Sequence, residues 1–429
     1  MKLLKMHSEG QAQTDRIRDA SKPREQLGGG RGGKHGNIFR VSRDHGEVSG
    51  ANPKSCIHVL ATTSSSTLRP KRHHFFLHEY QCTTDPSPFM TIPRSPFSST
   101  SESVPGKGIL GLALLHPGAQ VCQQLTYQYP LKLIAPDPHK SLDDKQRPVS
   151  VVFILTYGGG LVGGDQITLR AHLLSDTRLI FLTQGSTKIF KSSSREVVSR
   201  QNLHVTLETG AALCYLPDPT QPFADSVYDQ RQTFYLDPRS RSSSLCMLDW
   251  VNQGREARGE KWDLHSWKGK IEVREPVPKG ENHPGRLLLR DAVMLSGKGT
   301  QRRQHGTLSA TDNLGVFGTL IVHGPLFEQI GSFIMDEFSH QPRIGGKSWP
   351  RQEHEKEAEE DAATASRNQR HRQEEADGLL WTVANIRGFV VVKFGAHDVT
   401  GAKRWLRTLL RHDGIIEKAF GHQAFFCLR

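Results

Sequence analysis

Two groups of polar residues have the types that chemistry would need. Asp165 stands with Gln184, Thr187 and Lys188, and a second group gathers Asp218, Asp249, Arg255, Glu256, Arg258 and Glu260 within YLPDPTQPF and LDWVNQGREARGE. Carboxylate oxygens at such positions could line a polar groove or passage and accept a hard or borderline cation. The same residues could equally serve as turn-forming Asp and structural ion pairs. No nucleophile–base signature accompanies them. GxSxG and HExxH are absent, and the 21 histidines are scattered. His73, His74 and His78 lie close in sequence but lack the partner spacing of a closed metal site.

The elements that must position these groups start with Val151 to Tyr157, an apolar β-branched run that reads as a buried strand. Gly158, Gly159, Gly160, Gly163 and Gly164 follow, a density that calls for positive φ or close backbone approach. Gly158-x-Gly160-x-x-Gly163 matches a dinucleotide fingerprint in spacing. That fingerprint needs its last glycine to open a helix. Here Ile167, Leu169, Ala171 and Leu173 instead recur at the period of a half-buried strand.

The 429 residues allow one large domain or two to three average ones, and the 36% hydrophobic content with mean hydropathy −0.51 predicts that part is disordered. The net charge of +12 is spread along the sequence without a dense Lys/Arg stripe, so nucleic-acid binding is not indicated and an acidic protein partner explains the charge equally well. None of the six cysteines forms a CxxC pair. With no apolar leader at the start, reduced thiols in the cytoplasm are expected. No apolar run approaches about 18 residues, so no membrane-spanning helix is expected.

Residues 1–103 lack periodicity and read as a disordered low-complexity extension. Organised sequence begins near Val104. Short strands are expected at 111–114, 125–135, 178–183, 202–207, 210–216, 232–236, 244–251, 261–264, 270–273 and 286–289, separated by turn residues. Such spacing argues for a mainly β architecture of stacked or closed sheets. Apolar sequence returns at 318–323 and 327–338, the latter compatible with a helix. Residues 341–378 form a charged insertion expected to be disordered or a transient helix. Then 388–394 reads as a buried strand, Val399 to Leu410 as an amphipathic helix, and 424–428 as a last strand.

The run TYGGGLVGGDQITL…LTQGSTKIFKS resembles the signature of the UreD/UreH family of urease accessory proteins, of the eukaryotic, fungal-like type. YQYPLKLIAP, YLPDPTQPFADS, LDWVNQGREARGEKW, RLLLRD, ANIRGFVVVKFGA and GHQAFFCLR agree in order. The resemblance spans roughly 104–340 and 379–429, which are expected to form the two parts of one domain. Lys393 stands where many family members carry Arg. The resemblance implies a β-helix-like fold of stacked sheets of short strands, with a few helices near the C-terminal part. It implies a non-enzymatic nickel chaperone that binds apo-urease and the accessory protein UreF, which recruits the GTPase UreG. It implies a weak, transient passage for nickel, with Asp165, Asp218, Asp249 and Glu260 as candidate metal-contacting positions. Gly158, Gly159, Gly160, Gly163, Gly164, Gln184, Lys188, Pro217, Pro222 and Arg255 are the matching structural positions.

Two other classes remain distinguishable. A nucleotide-dependent oxidoreductase would need a helix after Gly164, and a nucleic-acid-binding β protein would rest on the net charge alone.

Overall fold

The structure is a computed structural model that describes residues 104–115, 118–236, 242–277, 284–297, 314–341 and 362–429. The expectations for 1–103, including the histidine cluster, lie outside the described residues. The strands in chain order are β1 (Lys107–Leu115), β2 (Ala119–Tyr127), β3 (Leu131–Ile134), β4 (His139–Lys140), β5 (Pro148–Thr156), β6 (Gly160–Leu161), β7 (Gln166–Leu173), β8 (Arg178–Leu182), β9 (Thr187–Ile189) and β10 (Ser199–Leu207). They continue with β11 (Ala212–Tyr215), β12 (Thr220–Pro222), β13 (Val227–Leu236), β14 (Ser244–Asn252), β15 (Ser266–Arg274), β16 (Leu287–Ser296), β17 (Val316–His323), β18 (Leu380–Ile386) and β19 (Phe389–Ala396). Helices α1 (Glu328–Ser339), α2 (Ala362–Ala376), α3 (Val399–Leu410) and α4 (Ile415–Phe420) all fall in the C-terminal part.

The mainly β expectation with helices near the C-terminal part therefore holds. One sheet has seven strands in the order β16-β15-β13-β10-β7-β1-β2. A second runs β18-β19-β17-β14-β11-β8-β5-β3, with β4, β6, β9 and β12 off this path. The chain alternates between the two. From β5 it crosses through β6 to β7, from β8 through β9 to β10, and from β11 through β12 to β13. Each strand pairs in parallel with its counterpart from the previous pass, so Leu179, Leu213 and Leu245 stand side by side, as do Ile167 and Gln201. Parallel pairing requires such long crossovers.

Alternation of side chains makes two cores. Leu169, Leu203, Phe234 and Ile271 of the first sheet pack with Phe181, Leu213 and Met247 of the second. The opposite face of the second sheet, with Ile180, Cys214, Leu248 and Trp250, is covered by Ile334, Leu406, Phe420 and Phe425 from the helical part. The central strands of the second sheet are thus apolar on both faces, which is why β14 is buried at every position.

Strand β7 begins directly after the glycine turn, so no helix N-terminus is available for a pyrophosphate and the dinucleotide alternative fails. Three local expectations need correction. Residues 125–135 split into β2 and β3. The segment 261–264 is not a strand, because Trp262 takes φ +57° and its indole donates to the Leu314 carbonyl at 2.9 Å. The end of the chain, 422–428, forms 3₁₀ turns that bury Ala424, Phe425, Cys427 and Leu428 against the second sheet, rather than a strand. Within the segment 341–378, the described residues Ala362–Ala376 form α2, whose Arg367 and Arg370 pair with Glu337 of α1. No helix among the described residues is long and apolar enough to cross a membrane.

Candidate functional site

Strand β13 turns Tyr228, Gln230, Gln232 and Phe234 inward, so two amides interrupt an apolar row. Strand β14 turns Met247, Asp249 and Val251 toward them. Gln230 Nε2 donates to Asp249 Oδ1 at 3.1 Å, and Asp249 is only 8% exposed. Burial pushes the Asp249 carboxyl up to about 7. The charge of Asp291 adds to the rise, while Gln230, Gln232 and Lys393 oppose it. Across the second sheet Asp249 stands beside Thr319 and Thr319 beside Lys393. Thr319 Oγ1 donates to Asp291 Oδ2 at 2.9 Å and Lys393 Nζ meets Asp291 Oδ1 at 2.6 Å, which ties this row to β16 of the first sheet.

Beside Asp249 lies a cavity of about 20 Å³ lined by Asp218, Gln201, Gln230, Thr183 and Tyr215, room for about one water molecule. Gln230 Oε1 and Gln232 Oε1 are buried with no hydrogen-bond partner among the described residues, while the Gln232 amide nitrogen lies near enough to Asp249 to favour its carboxylate without forming a well-aligned hydrogen bond. Polar atoms this deep are costly to leave without a partner. Burial, and then the nearby Asp249, raises the Tyr215 phenol above its ordinary value.

Asp218 forms the other wall. Its Oδ1 pairs with Lys403 Nζ of α3 at 2.8 Å, and its Oδ2 accepts from the Gly185 amide at 3.0 Å. The Asp218 amide donates to Thr183 Oγ1 at 2.8 Å, and Cys427 Sγ donates to the Thr183 carbonyl at 3.3 Å. Burial, with the Asp218 charge beside it, pushes the Cys427 thiol up to about 12.

The remaining sequence candidates lie elsewhere. Asp165 closes the glycine turn: its Oδ2 accepts from the Val162 amide at 2.8 Å and its own amide donates to the Val162 carbonyl at 2.9 Å. Glu260 takes the guanidinium fork of Arg255, with Nε to Oε2 at 2.9 Å and Nη2 to Oε1, and Arg255 lies over the Phe223 ring at 4.0 Å. That hydrogen-bonded fork holds the Glu260 carboxyl below its ordinary value. Asp218 and Asp249 therefore share one cavity, which neither Asp165 nor Glu260 lines. Among the described residues no three His, Cys, Asp or Glu side chains gather as a metal-holding group.

The structural positions explain themselves locally. Gly158 and Gly159 take φ +74° and +73° between β5 and β6, and Gly164 takes φ +92°. Gly160 is extended, but a Cβ there would collide with the Lys188 carbonyl of β9. A Cβ on Gly163 would stand 3.1 Å from the Ser192 Cα. Gln184 and Lys188 are exposed. The Pro217 carbonyl accepts from the Trp250 indole at 2.8 Å, and Pro222 closes β12 against β9.

Sequence reasoning passed over Gln230, Gln232, Thr319 and Asp291. The available signal was Gln at two inward positions of an alternating strand.

Residues 106–425 match the family model described as UreD urease accessory protein. The chain is 29% identical over 284 residues to an uncharacterized ureD-like urease accessory protein of Schizosaccharomyces pombe, covering 66% of this chain and 86% of that one. It is 28% identical over 310 residues to urease accessory protein 4 of Cryptococcus neoformans, covering 67% and 84%. To the urease accessory protein UreD of Sorangium cellulosum it is 33% identical over 211 residues, covering 48% and 58%. The chain belongs to the UreD urease accessory protein family, and so is a non-catalytic accessory protein that works with the urease maturation machinery.

Proposed function

We propose that this protein is the scaffold through which nickel reaches apo-urease, in a cytoplasmic complex with apo-urease, UreF and, through UreF, UreG. Residues 104–340 and 379–429 form the accessory domain, and its parallel ladders act as turns of a β-helix with stacked sheets that enclose a polar interior. Nickel is the cargo. It passes weakly and transiently along Asp218 and Asp249, helped by the amides of Gln230 and Gln232. Asp165 and Glu260 hold their own turns, away from this cavity.

One observation carries this reading: the buried Asp249 carboxyl, the Asp218 carboxyl and the unpartnered Gln230 Oε1 line one cavity between two sheets of a UreD-family chain. A few oxygen donors without a closed ligand set bind a borderline cation loosely enough to release it. The free thiols at Cys122, Cys214, Cys246 and Cys427 support a reducing compartment.

The test co-expresses the full chain with apo-urease, UreF and UreG and measures nickel per urease active site. Asp249→Asn and Asp218→Asn should still assemble but yield nickel-poor urease. Full nickel loading through both variants in an intact complex would overturn the passage.

A further inference from the structure

We propose that the outward face of the seven-stranded sheet is a docking surface for a carboxylate-rich protein surface. The register places one outward row of Ile109, Arg170, His204, Thr233, Glu272 and Arg290 across six strands. The neighbouring row holds Gln166, Arg200, Asp229, Lys268 and Met294. A third adds Lys107, Arg231 and Lys270. Against these cations the outward positions of the strands offer only two carboxylates, Asp229 and Glu272.

Both carboxylates are already engaged. Asp229 accepts the fork of Arg231 at 3.1 and 3.2 Å. Glu272 meets Lys270, Arg274 and Arg290 within 2.8–3.2 Å, and although burial works against its charge, Arg274 and Lys270 hold it at about 2. Arg170, Arg200 and Lys268 have no carboxylate partner among the described residues, so the face keeps uncompensated positive charge. Arg231 and Lys270 are the cations that the register sets directly side by side. Like charges so placed repel one another, and an acidic partner relieves the excess positive charge of the face.

The geometry favours a protein over a nucleic acid. Strands about 4.8 Å apart and rising about 3.3 Å per residue make a face of about 800 Å², the size of one side of a standard protein interface. Tyr235 is the one aromatic among the outward positions of these strands, too few for base stacking. Met294, 67% exposed, and Ile109, 39% exposed, supply apolar contacts within the charged field. Arg and Met are the residues that interfaces favour.

The inference rests on the chaperone reading only for the identity of the partner, apo-urease. The first probe is poly-L-glutamate, titrated against the full chain at two salt concentrations. The variant Arg170→Glu/Arg200→Glu/Lys268→Glu should weaken binding at least tenfold, and the Gln versions of the same three by an intermediate factor. The control Lys140→Glu/Arg407→Glu/Lys418→Glu, on the helical side, should change it less than twofold. Equal losses in both sets, no loss in the first, or tighter binding of 20-base-pair duplex DNA than of the polypeptide would overturn the proposal. If the Glu variant does not fold, the Gln versions carry the comparison. The second probe is apo-urease. Failure of the wild-type chain to bind it, with the poly-glutamate result intact, would refute the chaperone reading and leave the docking face standing.

Discussion

Lys393 and Asp291 meet at 2.6 Å between strands β19 and β16, so the ion pair joins the two sheets where Thr319 also donates to Asp291. The pair is partly shielded: Asp291 is 11% exposed by side chain and Lys393 34%. Its effect reaches inward, because Asp291 raises the Asp249 carboxyl and Lys393 lowers it.

Breaking this pair strands a shielded carboxylate. Lys393→Met should destabilise the fold by about 1–3 kcal/mol, less than a fully buried pair because water reaches Lys393. Lys393→Arg should stay within about 1 kcal/mol, since a guanidinium supplies donors to both Asp291 oxygens. Urea midpoints of the three proteins decide this, and a Met variant as stable as the wild type would show the pair to be ornamental.

Asp249 makes stability pH-dependent in a direction opposite to an ordinary paired carboxylate. Its folded pKa is raised from 3.8 to about 7. Below the unfolded value both states hold the proton and nothing is lost. Between about 4 and 7 the unfolded chain releases it while the folded chain keeps it, so stability falls as pH rises, and above about 7 the loss is complete. At about 1.36 kcal/mol per pH unit the ceiling is about 4 kcal/mol. Asp249→Asn keeps an acceptor for Gln230 and removes the titration. Its advantage in unfolding midpoint over the wild type should therefore widen from pH 5 to pH 8; parallel pH profiles would mean that Asp249 does not titrate in this window.

The glycine turn separates two kinds of constraint. Gly158 has φ +74° with nothing within 4 Å of the place a methyl would take, so Gly158→Ala costs backbone strain alone, about 1 kcal/mol. Gly160 has ordinary extended backbone, yet a methyl there would overlap the Lys188 carbonyl and crowd Phe190. Gly160→Ala must push β6 off β9 and should cost more than about 3 kcal/mol or give insoluble protein. Thermal unfolding of both variants separates the two; equal, small shifts would show that the β6–β9 contact yields easily.

What the sequence made legible was local period. Ile167, Leu169 and Ala171 alternate because one face of β7 is buried, and the helix expected at Val399–Leu410 is α3. Polar residues whose partners lie far along the chain left no local trace. Asp291 and Lys393 meet only because the two sheets face one another, and the RLLLRD motif gives no hint of it. Apolar composition also misled at 424–428, where five residues that could form a strand fill the gap between α3, α4 and the second sheet instead. Of the four candidate carboxylates, Asp218 and Asp249 come together because β11 and β14 are neighbours in the second sheet and both side chains reach the same cavity. Spacing could not separate them from Asp165 and Glu260, whose partners are a turn amide and the nearby Arg255.

The charged helix α2 offers the last test, because its composition promises nothing and its contacts promise much. Glu374 Oε2 accepts from the Trp381 indole at 3.3 Å and Oε1 from the Trp405 indole at 3.0 Å. The two rings, 5.5 Å apart, pack in the core beneath the helices, and Phe394 adjoins Trp405 at 5.3 Å. Glu374 thus fastens β18 and α3 through one carboxylate, and removing it leaves two indole N–H groups without that acceptor. Each stranded donor costs about 1–3 kcal/mol where water cannot reach it. Glu374→Ala should therefore lower stability by about 2–4 kcal/mol, whereas Glu375→Ala, on an exposed neighbour, should change it by less than about 0.5 kcal/mol. Glu374→Gln retains one acceptor oxygen and should fall between the two. Urea unfolding followed by tryptophan fluorescence reads both the midpoint and the environment of Trp381 and Trp405. A Glu374→Ala protein with the wild-type midpoint and spectrum would mean that α2 rides on the surface and that the indoles find other acceptors.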